Sequence, residues 1–437
     1  MIAENKLAID GGTPVITDPI PFGVSGPSIV DEEEVEAVSK VLRSQDLFRY
    51  DAKSECHQFE KEAAELLGVG YTLIVTSGTA ALVCAMKGVG LGPGDEAIVS
   101  GYTYIATPAA IIATGAVPVI AEIDDSLGLD PSDVEKKITP HTKAIVVTHM
   151  RGVPARLDQI LEIAKRHGLK VVEDCCQIVG GQHKGKSVGS KSDAAAWSLN
   201  YFKTITTGEG GMAYTNNRDV YERILYCSDP GLPMWNTTNP DMEKRDKPQG
   251  QFYDIEYKLD SFPGEGYRAS ELIGAVGRVQ LSKLQKVLDH QRKLKRAFMI
   301  ELDEARSYKL QYVDDPEGDT GVSAGVIVQN EALAKGFAHA LKAEGVEVAA
   351  IFNEGIPDRH IYSSWESILN KRSHHPSGYP WKDPSYKGNV EYSTDMCPNT
   401  TNILGRTLLF NFHMNMTEEQ AKLMARALNK VDASLGN

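Results

Sequence analysis

The strongest constraint on this chain is a repeated alternation in its first half. Short aliphatic runs without polar alternation, TLIVT (72–76), EAIVS (96–100), VPVIAEID (117–124), KAIVVTH (143–149) and LKVVED (169–174), are separated by helix-length stretches. Those stretches read TAALVCAMKGVG, IATPAAIIATG, PSDVEKKI and RLDQILEIAKRHG. A strand that is apolar on both sides must be covered on both faces, and the intervening helices supply the cover. The pattern predicts an α/β fold whose large domain holds a mostly parallel central sheet. DAAAWSLN (193–200) and GGMAYTN (210–216) add two further runs, the second beginning on paired glycines.

The flanks are read as follows. DEEEVEAVSKVL predicts a helix capped by Asp31, with Glu34 reaching back and Val35, Val38, Val41 and Leu42 as its apolar stripe. HQFEKEAAELLG ends at Gly68, as a C-cap glycine would. Between Asp229 and Gly266 the periodicity stops in a polar, aromatic, Pro/Gly-rich stretch, expected to be a functional or interface loop. A long helix over 269–305 then bridges to a smaller C-terminal α+β domain. Its expected parts are a strand at 325–329, a helix at 332–345, a strand at 347–352, a second long loop over 353–400, a strand at 407–413 and a closing helix from about Thr417. The chain of 437 residues thus divides into 1–268 and 269–437.

Charge and cysteine usage narrow the function. Lys+Arg of 46 against Asp+Glu of 59 leaves −13, opposite to what a nucleic acid or an acidic membrane surface attracts. No apolar run reaches the ~18 residues of a membrane span, and MIAENKLAID lacks a signal-peptide core. Six cysteines, with Cys175 and Cys176 adjacent, match neither a disulfide framework nor a zinc spacing. The expectation is a cytoplasmic enzyme with no metal, no nucleic-acid partner and no membrane partner.

In an open parallel sheet, ligands bind at the carboxyl ends of the strands. After TLIVT come Ser77, Gly78 and Thr79, opening a helix. Glycine there admits close backbone approach, and helix-start N–H groups suit a phosphate, although a hydroxyl that merely caps the helix explains them equally. Asp174 ends LKVVED, where a partly buried carboxylate needs a cationic or hydrogen-bonding partner, and Gln177 follows three residues on. In WSLNYFKTITTGEGG, Ser198 precedes Lys203 by five residues, and aromatic neighbours can desolvate a lysine and make it nucleophilic. An anion nest, a buried acid and a lysine at the ends of one sheet are together what pyridoxal 5'-phosphate asks for. GYTYIATPAA offers Tyr102 or Tyr104 to stack on its ring.

TSGTAAL, YTYIATPAAI, VVEDCCQIVGG and SLNYFKTITTGEGG, in that order, resemble the DegT/DnrJ/EryC1/StrS sugar aminotransferases, and the resemblance runs from LAIDGGTPV at 7–15 to the last helix. It implies an aspartate-aminotransferase-like fold of type I and a pyridoxal-phosphate enzyme that moves the amino group of glutamate, leaving 2-oxoglutarate, to a keto- or aldehydo-sugar. By the family's pattern Lys203 carries the cofactor and acts as general acid/base, and Asp174 pairs with the ring nitrogen. Gln177 meets the ring hydroxyl, Gly78, Thr79 and Ser198 hold the phosphate, and Tyr104 aligns with the stacking aromatic. The family also implies a homodimer. Relatives with histidine in place of the lysine are dehydratases, so the retained lysine favours transamination.

This sequence also departs from the family. Gly266-Tyr267-Arg268 stands where the family usually has Asn-Tyr-Arg, whose asparagine reaches the phosphate across a dimer interface. Arg151, in HMRGVPARLD, stands where relatives often carry an aromatic or small residue. Cys175 and Cys176 replace a small pair and are read as packing. The HMRGVPARLD and NTTNILGRTLLFNFHMNM segments resemble family members that aminate C8 of an oxidised 3-deoxy-manno-octulosonate for lipopolysaccharide. A nucleotide-linked keto-sugar or a keto-inositol is the alternative acceptor. A carboxylated substrate would suit Arg151 or Arg268, each of which could equally serve in a structural ion pair.

Overall fold

A computed structural model describes residues 6–50, 54–230, 259–353 and 357–436. The large sheet contains β1 (Tyr71–Val75), β2 (Glu96–Ser100), β3 (Val117–Ala121), β4 (Thr142–Thr148), β5 (Lys170–Asp174), β8 (Ala194–Ser198) and β9 (Gly211–Thr215). A two-residue hairpin, β6 (Gln182–His183) with β7 (Lys186–Ser187), lies outside it. The strand order is β1-β9-β8-β5-β4-β2-β3, with β9 antiparallel to both neighbours and the other pairs parallel.

Side-chain alternation sorts this sheet into two faces. Leu73, Val75, Val99, Val146 and Val172 pack with helices Gly78–Gly88, Ala106–Thr114 and Arg218–Ser228. Ile98, Ile145, Val147 and Val171 meet helices Pro131–Lys137 and Leu157–His167 on the other face. Ile74, Trp197 and Met212 meet helix Glu55–Leu67 and the long helix Glu271–Glu301 there as well. Helix starts follow the expected chemistry: Asp31 and Glu34 form a capping box on helix Glu32–Ser44, and Gly68 closes Glu55–Leu67 in the left-handed region.

The second sheet has the order β10 (Tyr308–Leu310), β11 (Ser323–Val328), β12 (Thr407–Asn411), all antiparallel. Helices Glu331–Ala343 and Glu418–Leu435 cover it, and the Phe298 ring of the long helix packs tilted against Phe410 and edge-on against Phe412. Leu7 and Ile16, from the start of the chain, are buried in this same core. The strand expected at 347–352 reduces to one bridge, Ala349 with Leu409, because the chain turns away at Ile351 and Phe352. The expected loop over 353–400 carries short helices at Tyr362–Ser364 and Glu366–Leu369, with Tyr362 and Trp365 buried as anchors. Of the loop expected at 229–266, residues 231–258 lie outside the described residues. Among the described residues, no helix is long and apolar enough to cross a membrane.

Candidate active site

Strand register brings Gly78 and Ser198 together, whereas Asp174, Gly78, Thr79, Ser198 and Tyr104 are not among the residues lining the cavity that holds Lys203, Gln177 and Arg151. Gly211 of β9 lies opposite Val75 of β1 on one side and Ser198 of β8 on the other. Because Gly211 has no side chain, the Ser77–Gly78 turn folds across it: a Cβ there would lie 2.2 Å from the Ser77 carbonyl oxygen. Gly78 then abuts Ser198, and a Cβ on Gly78 would lie 2.6 Å from that of Ser198. Ser77 caps the helix by accepting from the Ala80 amide. The Gly78 and Thr79 amides keep no backbone or side-chain partner among the described residues, and the Ser198 hydroxyl, which accepts from the Asn200 amide, lies against Gly78.

Asp174 is buried and, like Val172, points to the face covered by helix Ala106–Thr114. Its Oδ2 accepts from Thr107 Oγ1 at 2.6 Å, and its Oδ1 accepts from the Cys176 amide at 3.0 Å. Behind Thr107 runs a line of buried hydroxyls, with Thr107 to Thr103 at 2.7 Å and Thr148 to Thr103 at 3.0 Å. Glu173, one residue earlier, faces the opposite side and meets His149 Nε2 at 2.8 Å. The Ala155 amide donates to His149 Nδ1, so Nε2 carries the proton toward Glu173.

Lys203 and Gln177 border one cavity of about 440 Å³ together with Cys176, Arg151, Phe202 and His360. The Lys203 ammonium makes no hydrogen bond or ion pair among the described residues, while its carbonyl accepts from the Gly26 amide. Its charge tempers the Cys176 thiol, which burial nevertheless pushes well above the ordinary range. Gln177 Oε1 accepts from the Arg151 amide at 3.4 Å. The two tyrosines separate: Tyr102 is 1% exposed and its hydroxyl accepts from Arg151 Nε at 3.2 Å. Tyr104 is 40% exposed, with its ring 5.3 Å from that of His360. Arg268 is engaged elsewhere, its guanidinium 2.7 Å from the buried Asp229, and it does not border this cavity. Gly266 has φ +76, a left-handed backbone that glycine and asparagine both adopt, with open space at its Cβ position.

Several residues at this site escaped sequence reasoning. Thr107 lies four residues after Thr103, a spacing that signals a shared helix face but not its target. His360 sits in a segment read as loop. Phe22 and Ser25, from the chain's start, line the cavity beside Gln291 of the long helix, whose side-chain amide donates to Ser25 Oγ at 2.7 Å. No local pattern marks them.

The fold and these residues define an α/β architecture of the type I, aspartate-aminotransferase-like class. The aminotransferase from Psychrobacter cryohalolentis superposes with a TM-score of 0.75 at 26% identity, covering 95% of this chain and 100% of that one. Residues 28–376 match the model of the DegT/DnrJ/EryC1/StrS aminotransferase family, and the chain belongs to that family. The spore coat polysaccharide biosynthesis protein SpsC of Bacillus subtilis (strain 168) is 38% identical over 259 residues, 59% of this chain and 63% of that protein. The L-glutamine:2-deoxy-scyllo-inosose aminotransferase of Streptoalloteichus tenebrarius is 39% identical over 231 residues, 52% of this chain and 53% of its own length. The chain therefore spans somewhat over half the length of these curated relatives.

Proposed function

We propose that the protein is a pyridoxal 5'-phosphate-dependent aminotransferase that moves the amino group of glutamate to the carbonyl of a keto- or aldehydo-sugar. The observation that carries this reading is a Lys203 side chain without a hydrogen-bond or ion-pair partner among the described residues, in a cavity bordered by Cys176 and Gln177, together with a buried Asp174 held by two donors. The residues fit the cofactor: Gly78, Thr79 and Ser198 offer donors and no negative charge to its phosphate. Asp174 suits a protonated ring nitrogen, Gln177 a ring hydroxyl, and Tyr104 a ring face. When bound, the cofactor supplies an electron sink for the charge left as a proton leaves the carbon bearing the amine.

The protein's own residues do the rest. The Lys203 amine, once free, takes the α-proton of glutamate and in the second half-reaction returns a proton to the former carbonyl carbon of the sugar. Asp174, fixed by Thr107 and Cys176, keeps the pyridine nitrogen charged. The acceptor to test first is 3-deoxy-manno-octulosonate oxidised at C8, a reading that rests on the sequence resemblance. Keto-inositols follow, as one relative's name suggests, then nucleotide-linked keto-sugars. That relative's name specifies L-glutamine as donor, so glutamine belongs in the donor panel beside glutamate. A homodimer is part of this proposal.

The test uses holoprotein and 15N-glutamate, read by 2-oxoglutarate release and by label in the product across an acceptor panel. Lys203→Ala should lose transfer and the visible absorbance of the bound cofactor, and Asp174→Asn should keep some cofactor but lose most activity. Unchanged turnover in Lys203→Ala would end the assignment.

A further inference from the structure

We propose that Arg151 is a carboxylate-binding residue of the substrate site, so that one of the two substrates is held there through an acid group. The inference rests on the transfer reading above and names a chemical feature its substrate must carry.

Arg151 has φ 56 and ψ 32, a left-handed backbone that strains a non-glycine residue. The fold maintains it. Ser323 Oγ donates to the Arg151 carbonyl at 3.1 Å. The following Gly152 is pinned so closely that a Cβ would lie 2.2 Å from Thr320 Oγ1. Strain sustained in this way and located in a cavity is characteristic of residues aimed at a ligand.

The side chain lacks the partner such a cation needs. Arg49, Arg156, Arg268 and Arg278 all meet a carboxylate within 3.1 Å. Arg151 has none within 4.0 Å among the described residues, and its Nε donates to the Tyr102 hydroxyl. Asp358 acts on it at longer range, but its Oδ1 is taken by His360, by Nδ1 at 2.7 Å and by the amide at 2.9 Å. Arg151 is half-buried, and with no carboxylate at ion-pair distance among the described residues its planar fork stays available to match one. Arg151 also borders both the Lys203 cavity and a narrower one of about 70 Å³ with Asn353, Asp358 and Leu409. Asp358 on the wall of that narrower cavity favours a singly charged carboxylate over a phosphate dianion.

The carboxylate can belong to the amino donor or to an acid sugar, and the experiment separates them. Binding of 2-oxoglutarate, 3-deoxy-manno-octulosonate and the methyl ester of that sugar is measured on wild-type, Arg151→Met and Arg151→Lys holoprotein by calorimetry. The expected result is at least tenfold weaker binding of one of the acids to Arg151→Met, partial recovery in Arg151→Lys, and no change for the ester. Loss for the octulosonate assigns the site to the acceptor, and loss for 2-oxoglutarate assigns it to the donor. Wild type and Arg151→Met binding both acids alike, or wild type binding neither, overturns the proposal. These are equilibrium readouts, so they decide on Arg151 independently of turnover. A wild-type protein whose absorbance ignores glutamate would sink the transfer reading alone.

Discussion

The Thr107 hydroxyl donates to Asp174 Oδ2 at 2.6 Å across 67 residues of sequence, inside a fully buried line of threonine hydroxyls. In the proposed role of Asp174, a carboxylate facing a cofactor nitrogen needs one rotamer, and this bond supplies the constraint. Thr107→Val should weaken cofactor retention by about tenfold, the worth of one buried hydrogen bond to a charged group. Thr107→Ser should restore most of it. Equilibrium dialysis of pyridoxal 5'-phosphate measures both, and equal retention by the valine variant would remove Thr107 from the site.

The close approach of Gly78 to Ser198 leaves no room for even one methyl group at the proposed phosphate site. In Gly78→Ala the new Cβ would meet Ser198 Cβ at 2.6 Å, and in Gly211→Ala it would meet the Ser77 carbonyl at 2.2 Å. Overpacking of this kind costs about 1–3 kcal/mol. Both variants should melt at lower temperature than wild type and bind inorganic phosphate more weakly. Gly68→Ala, where a Cβ meets open space but φ is +64, should cost stability without touching phosphate binding.

Glu34 ties the first long helix to the helix at 271–301. It accepts from the Gln280 side chain at 2.8 Å and from Lys283 at 2.9 and 3.0 Å. Burial works against its charge, but the Asp31 amide and the Lys283 and Gln280 side chains prevail, so its pKa lies below the ordinary range. A lowered folded-state pKa contributes stability that is fully present above the unfolded value of about 4.3 and is lost as pH falls through the folded one. Glu34→Gln should cost about 2 kcal/mol at neutral pH. The difference from wild type should shrink as pH drops below about 4, in denaturant titrations at each pH. A gap independent of pH would show that charge plays no part.

All six cysteines are buried. Burial pushes the thiols of Cys175 and Cys176 well up, and that of Cys397 to about 12. Thiolate, not thiol, attacks a disulfide reagent. A colorimetric thiol assay at pH 7.5 should therefore find no rapidly reacting group in the native holoprotein and six in denaturant. Fast loss of one equivalent from Cys176, at the cavity wall, would contradict the packing reading.

What the sequence determined by itself is local. Five aliphatic runs fixed five strands of the large sheet, because a doubly covered strand admits no polar alternation. Asp31 with Glu34 and the glycine at 68 set helix ends, and Gly78, Asp174 and Lys203 stood out as candidates at or beyond strand ends, because an open sheet binds at that edge. The tertiary structure decided which of these meet. The order β1-β9-β8-β5 carries the Ser77–Gly78 turn over Gly211 to Ser198. It also decided that Arg268 pairs with Asp229 while Arg151 has no carboxylate within 4.0 Å among the described residues, that Thr107 meets Asp174, and that His360 and Ser25 reach the cavity. The run at 347–352 has strand composition, yet it keeps a single bridge because the chain turns off toward the cavity after Ala349. Periodicity records which face of an element is buried, since that depends on neighbours a few residues away. Partners separated by a hundred residues are set by sheet order and chain crossing, which periodicity leaves open.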